Sequence, residues 1–193
     1  MKRNQNSGNR HIAMRTATAL FLEKGYSSTS MDEIVAVSKV SKTNIYYHFK
    51  SKEELLTAIV SQMIDQYKQM IDDIVSQNSR TVMERMSEFA MLLSERTPSS
   101  SGGCPFLTLY VQTSHEFGFV REMIGNFFQE QTQTIEKLLQ EGVDRHEFKS
   151  ELPLSRLAAL IVSTIEGSLF LQHTTKDPLL LTNTLQTLAF LLK

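Results

Sequence analysis

Apolar residues return every three or four positions through most of the chain and almost nowhere at every second one, so the pattern predicts helices. Ala13, Ala17, Leu20 and Phe21 fall at i, i+4, i+7 and i+8 and make one stripe, which places a first helix from about residue 9 to Lys24. Gly25 ends it, because glycine takes the left-handed conformation that closes helices, and Tyr26 can then fold back on Phe21. Ser30 with Glu33 is a capping box that opens a second helix, whose buried face begins at Ile34 and Val35. Ser41 is a new cap eleven residues later. The second helix therefore ends near Ser38, and Lys39-Val40-Ser41 is the turn into a third of about Lys42 to His48. That helix has two unlike faces. Ile45 and Phe49 point inward, while Lys42, Thr43, Tyr46 and Tyr47 project from the other side as a hydrogen-bonding and aromatic surface that folding alone does not require. Ser51 with Glu54 caps a long fourth helix to about Gln77, carrying Leu55, Ile59, Met63 and Tyr67 at helical spacing.

The remainder continues in the same period. Arg80 to Glu95 reads as a fifth helix, and Thr97 to Gly103 as the clearest flexible break. Pro105 opens a sixth of about ten residues, Gly118 a seventh to about Asp144, Leu152-Pro153 an eighth to about Thr174, and Asp177-Pro178 a ninth to the C-terminus. With no period-2 segment and no internal repeat, the fold class is all-α, with about nine helices. Two late seams stand out. Leu181, Leu185, Leu188 and Leu192 line one side of the ninth helix; Leu157, Ile161, Thr164 and Ser168 line one side of the eighth, where Gly167 permits close approach. Each stripe either pairs with a second copy or fills the core of one chain.

Composition narrows the function classes. A chain of 193 residues can bury roughly 70% of its unfolded surface. With 41% hydrophobic and 21% charged residues and only 8 Gly and 4 Pro, an ordered helical protein is expected. No run approaches the ~18 uninterrupted apolar residues of a membrane span. The polar start, Met1 to Asn9, reads as a short disordered arm rather than a signal peptide, which implies a cytoplasmic protein without a membrane partner. The lone Cys104 fits a reducing compartment. The formal net charge of −1 conceals an asymmetry: residues 1–55 hold nine Lys/Arg against five Asp/Glu, and the rest hold eleven against sixteen. A basic head on an acidic body suits a molecule that offers one end to a polyanion. An enzyme is disfavoured, because no glycine-rich phosphate loop is present, the histidines (His11, His48, His115, His146, His173) are scattered, and none forms a metal-ligating pair at i, i+4. Neither a metal nor a cofactor is implied.

Two short helices joined by a three-residue turn form a helix-turn-helix, whose second helix can enter a major groove. Spacing alone is unspecific, but the residues are not. Ala17 to Val35, with Leu20-Phe21, Gly25-Tyr26 and Thr29-Ser30 in order, and Val40 to Leu55, with Tyr47-His48-Phe49-Lys50-Ser51-Lys52, closely resemble the N-terminal domain of TetR-family repressors. The resemblance implies a head at residues 1–52 that reads DNA and a helical body at 53–193 that binds an effector and dimerises. It makes Lys42, Thr43, Asn44 and Tyr46 base-edge or groove contacts, and Thr29, Tyr47, His48 and Lys52 phosphate contacts. Tyr46 can also be read as a half-buried core aromatic, and His48 as a structural hydrogen-bonder. The implied partners are a palindromic double-stranded operator, a second copy of the chain paired through the two late helices, and a small, mostly apolar or amphipathic effector. Met83, Met86, Phe89, Phe106, Tyr110, Phe117, Phe127 and Phe170, with Gln112, His115, Glu116 and Glu166 as polar groups, line either its pocket or plain core. Cys104 is either a thiol sensor or inert, and a helical dimeric adaptor that reads no DNA is the remaining alternative. One departure concerns the turn: the family commonly has Gly where this chain has Lys39, and often again at Thr43. A non-Gly residue held left-handed there costs ~1–2 kcal/mol, so the turn is expected to be strained or reshaped.

Overall fold

The computed structural model describes residues 2–96, 103–113 and 118–192, with side chains described at 8–93, 103–113 and 118–191. Among these, nine α-helices are present and no strand: α1 (Lys2–Lys24), α2 (Met31–Ser38), α3 (Lys42–His48), α4 (Lys52–Val75), α5 (Val82–Arg96), α6 (Pro105–Gln112), α7 (Gly118–Asp144), α8 (Leu154–Thr175) and α9 (Leu180–Leu192). The all-α expectation holds, and most helix ends fall within two residues of the predicted ones. The exception is α1. It begins at Lys2 where a disordered arm is expected at residues 1–9. That stretch holds no proline, and Gly8, the weakest helix former in it, has open space around it. A helix already nucleated by the buried stripe can extend outward through such polar residues at little cost. Of the break expected at Thr97 to Gly103, only Gly103 is among the described residues.

The chain divides into two compact units, residues 1–65 with 105–124, and residues 66–104 with 125–193. In the first, α1 packs on α2, α3 and α6. Ala17, Phe21, Ile34, Ile45, Leu55 and Leu56 are each fully buried and make its core. The end of α1 forms as its residues require: Gly25 has φ 95° and donates to the Phe21 carbonyl at 3.1 Å. The Tyr26 ring meets Phe21 edge-on at 5.1 Å.

In the second unit, α5 and α8 both pack on α9. The far end of α7 is closed by a device that the apolar pattern did not reveal. His146 takes the left-handed conformation (φ 59°), and the N–H groups of Glu147 and Phe148 both donate to the Gly142 carbonyl, at 2.8 and 3.2 Å. Phe148 then lies so close over Gly142 that a Cβ there would meet its ring at 2.3 Å. By length and composition α8 is the one helix among the described residues able to cross a membrane, with a mean hydropathy of 1.5 over its most apolar window. Ser163, Thr164, Glu166, Gly167 and Ser168 interrupt its apolar run.

Candidate nucleic-acid interface and cavity

The helix-turn-helix is built by local chemistry. Ser30 Oγ accepts from Glu33 N at 3.1 Å and starts α2; Ser41 Oγ accepts from Asn44 N at 3.4 Å and starts α3. Between them Lys39 stands at φ 57°, ψ 15°, left-handed, and its N–H still donates to the Val35 carbonyl. The departure at this position therefore leaves the turn's conformation intact and loads it onto a residue with a Cβ. Val40 is buried, so the turn is pinned from below, and Ile45 and Phe49 anchor the inner side of α3.

The outer side of α3 stays clear of that core. Lys42 and Thr43 are exposed, and Tyr47 is 67% exposed. Lys42 Nζ pairs with Asp32 at 2.7 Å in open solvent and stands 5.9 Å from the Tyr46 ring. Asn44, Tyr46 and His48 are half-buried. The Asn44 amide oxygen has no hydrogen-bond partner, and the His48 ring lies between Tyr47 at 5.0 Å and Phe49 at 6.1 Å.

Two residues expected at phosphate are placed otherwise. Thr29 is 1% exposed, and its hydroxyl donates to the Gly25 carbonyl at 2.9 Å, so its side chain is committed within the domain. Lys52 turns inward: Nζ donates to the carbonyls of Tyr26 and Thr29 at 2.9 and 2.8 Å and lies 4.3 Å from the centre of the Tyr26 ring. Burial lowers its pKa below the ordinary lysine value. The Tyr26 hydroxyl is pushed up to about 12, first by burial and then by Glu53. Lys52 ties the start of α4 to the loop before α2, a structural task that its sequence position did not disclose.

The second unit encloses a partly open cavity of about 80 Å³. Met83, Met86 and Phe89 line it, among others. Phe106, Tyr110 and Gln112 do not; they belong to the first unit, where Gln112 Oε1 accepts from Tyr26 N at 3.2 Å and the Arg121 guanidinium stacks 3.8 Å from the Tyr110 ring. Phe127 packs against Tyr67 and Phe128 instead, and Phe170 is 55% exposed. His115, Glu116 and Phe117 lie outside the described residues. Glu166 is not in the cavity wall. Its carboxyl accepts from the Cys104 thiol, and burial pushes its pKa up to about 7. Cys104 is itself buried, beside an acid rather than a cation, which is the wrong setting for a reactive thiolate.

The apolar seams are offset from the surface they were expected to form. Ile161, Ser168 and Leu181 are buried within the unit, Ile161, Leu185 and Leu188 line the cavity, and the Leu192 side chain lies outside the described ones. Leu157 and Thr164 are half-buried. What α8 and α9 expose instead is Leu160, Gly167, Phe170, Leu171, Phe190 and Leu191. A stripe read from period alone fixes the angle of a face only to about one residue, and here the inward face took the leucines.

The most informative residue that sequence reasoning missed is Arg85. It is fully buried, lines the cavity, donates from one terminal nitrogen to the Val75 carbonyl at 2.7 Å and from the other to Glu141, and leaves Nε without a partner. Arg85 falls three residues after Val82 on the buried face of α5, and an arginine in an apolar stripe was the available signal.

Comparison with known proteins agrees with this architecture. The model for bacterial regulatory proteins of the tetR family matches residues 13–59, and that for the tetracyclin repressor-like C-terminal domain matches residues 82–188. The chain belongs to the TetR family of transcriptional regulators. The HTH-type transcriptional repressor DhaR of Mycobacterium sp. (strain GP1) is 22% identical over 160 residues, covering 83% of this chain and 80% of that one. The regulator QacR of Staphylococcus aureus (strain Mu50) is 32% identical over 102 residues, 51% of this chain and 53% of its own. Among solved structures, a TetR transcriptional regulator from Chloroflexus aurantiacus superposes with a TM-score of 0.82 at 27% identity, covering 97% of this chain and 95% of that one. TetR-family proteins are regulators rather than enzymes, and among the described residues no cluster of His, Cys, Asp or Glu could hold a metal ion.

Proposed function

We propose that this TetR-family protein is a cytoplasmic repressor that binds a palindromic operator as a homodimer and leaves it when a small, mostly apolar or amphipathic molecule enters the cavity of the second unit. The observation that carries the reading is the two-sided α3: Ile45 and Phe49 are consumed by the core while Lys42, Thr43 and Tyr47 are exposed on the opposite side, Lys42 in a solvent-exposed pair with Asp32. The head at residues 1–52 does the reading and residues 53–193 the sensing and pairing. Lys42, Thr43, Asn44 and Tyr46 face base edges, and Tyr47 and His48 the backbone of the duplex. The exposed faces of α8 and α9, with Leu160, Gly167, Phe170, Leu171, Phe190 and Leu191, are apolar surface that a second copy covers. Effector binding shifts α4 and so changes the separation of the two heads, which requires that the effector bind the two states with different affinity.

The test is a gel shift on DNA flanking the protein's own gene with salt titration. Specific binding should weaken steeply as salt rises. Lys42→Ala with Tyr47→Ala should lower operator affinity by about 100-fold while leaving the thermal midpoint unchanged, since both side chains are exposed. Operator binding that survives this double change would overturn the assignment of α3.

A further inference from the structure

We infer that the cavity of the second unit takes an uncharged, mostly apolar molecule carrying one hydrogen-bond acceptor, which meets the unpartnered Nε–H of Arg85. This rests on the reading of that cavity as the effector site and adds the chemistry of the effector.

The walls supply apolar contact through Ile71, Ile74, Leu138 and Ile165. Among the described residues no carboxylate lines them, and the one charged lining residue is Arg85, so nothing described there favours a cation. An anion fares no better. The Arg85 charge is already matched by Glu141, which Arg85 and then Arg145 hold below the usual carboxylate range and therefore ionised. A ligand carboxylate would bring a second negative charge towards Glu141 and would have to leave water to do so. What is left over at the guanidinium is Nε: both terminal nitrogens have partners in Val75 and Glu141, and Nε is buried with no acceptor, unlike the lining amides of Gln131 and Gln186, which are only part-buried or exposed. A carbonyl or ether oxygen answers that donor without adding charge. The hydroxyls of Ser87 and Thr134 do not compete, because they donate to Met83 and Glu130 of their own helices.

The cavity also limits size. At about 80 Å³ it is smaller than the ~150 Å³ engineered cavity that accepts benzene, so a ring-sized ligand must displace the wall as it enters. Met83 and Met86, unbranched and adaptable, are the residues able to give way.

The experiment is calorimetric titration of the full-length protein at pH 7 with four probes of one ring each: acetophenone, ethylbenzene, benzoate and benzylammonium. Acetophenone should bind at least tenfold tighter than ethylbenzene, and both charged probes should bind more weakly than either. Arg85→Lys, which keeps the charge beside Glu141 but lacks the Nε donor, should bring acetophenone down to the level of ethylbenzene. Ala189→Phe, on the half-exposed side of the cavity, should abolish binding of both. If Arg85→Lys does not fold, the ranking in the native protein decides alone. Equal affinity for acetophenone and ethylbenzene, tighter binding of either charged probe, or no binding of any of the four would each overturn the inference. A separate gel shift with saturating acetophenone reads operator release. Binding without release would sink the effector reading while leaving the ligand chemistry standing.

Discussion

Lys52 and Arg85 are both cations drawn inward, one in each unit, and they are served differently. Lys52 in the head bonds two backbone carbonyls and stacks on the Tyr26 ring, while its neighbours Ser30, Ser41 and Thr29 are each matched to a nearby backbone group. Arg85 in the body is more deeply buried yet less complete, with Nε unanswered, and Glu166 in the same unit leaves Oε2 without a partner. A fully matched polar network holds one conformation; a buried group left unmatched raises the energy of the empty state and rewards whatever completes it. The head leaves one comparable atom, Asn44 Oδ1, on the helix offered to DNA, whereas the body leaves Arg85 Nε and Glu166 Oε2 unanswered in its interior.

The contrast is sharpest at Arg85. Arg85→Met removes one partner of a buried ion pair, though Glu141 retains Arg145 at 2.9 Å, so the loss should sit near the lower end of the usual range, about 3 kcal/mol. A fall in denaturant midpoint with unchanged slope would show it. A change below about 1 kcal/mol would mean that the arginine is dispensable to folding and would break the comparison.

Glu166 gives the next effect, up to about 3 kcal/mol at 1.36 kcal/mol per unit of pKa. Unfolded, its carboxyl titrates near 4.5; folded, burial raises it to about 7. The folded protein holds that proton more tightly, so the stability it contributes is present below about 4.5 and is lost as the pH rises to about 7. Glu166→Gln keeps an acceptor for Cys104 and cannot ionise. It should raise the thermal midpoint at pH 8 and flatten the pH dependence across that window, whereas parallel curves for the two proteins would show that Glu166 does not titrate there.

These two residues also mark where sequence reading stopped. The head was legible because each of its elements is signalled within a few residues: caps at Ser30 and Ser41, the stop at Gly25, the two faces of α3. What the sequence did not disclose is where the Thr29 and Lys52 side chains sit in the folded chain: Thr29 bonds back to Gly25, four residues away, and Lys52 reaches Tyr26, twenty-six positions away. In the body the informative contacts away from the helix ends are as distant as that of Lys52. Arg85 meets Glu141 fifty-six residues on, and Gln112 proved to serve Tyr26 of the first unit. Periodicity found the helices of the body and assigned Ile161 to one stripe and Leu185 and Leu188 to another, but it could not tell a cavity wall from a dimer face, since both ask for the same residues.

Lys52→Met tests the head's side of the comparison. Two carbonyls would lose their donor, but the site is partly open and water can replace it, so the expected loss is about 1–2 kcal/mol. Because Nζ is already occupied within the domain, operator affinity corrected for stability should change little. A tenfold loss at full folding would return Lys52 to the phosphate backbone.

The smallest effect should come from Lys39→Gly, where strain and charge oppose one another. Glycine removes the penalty of a left-handed Cβ-bearing residue, about 1 kcal/mol, but it also enlarges the entropy of the unfolded chain and withdraws a cation from the C-terminal end of α2, where the helix dipole favours it. The net gain should be about 0.5 kcal/mol or less. The exposed ammonium, however, sits in the turn that leads directly into α3. If it meets a phosphate, the glycine variant will be slightly more stable and yet bind the operator more weakly, with the salt dependence reduced by about one counterion. An unchanged salt slope would place Lys39 off the DNA and leave its left-handed turn as strain with no return in binding.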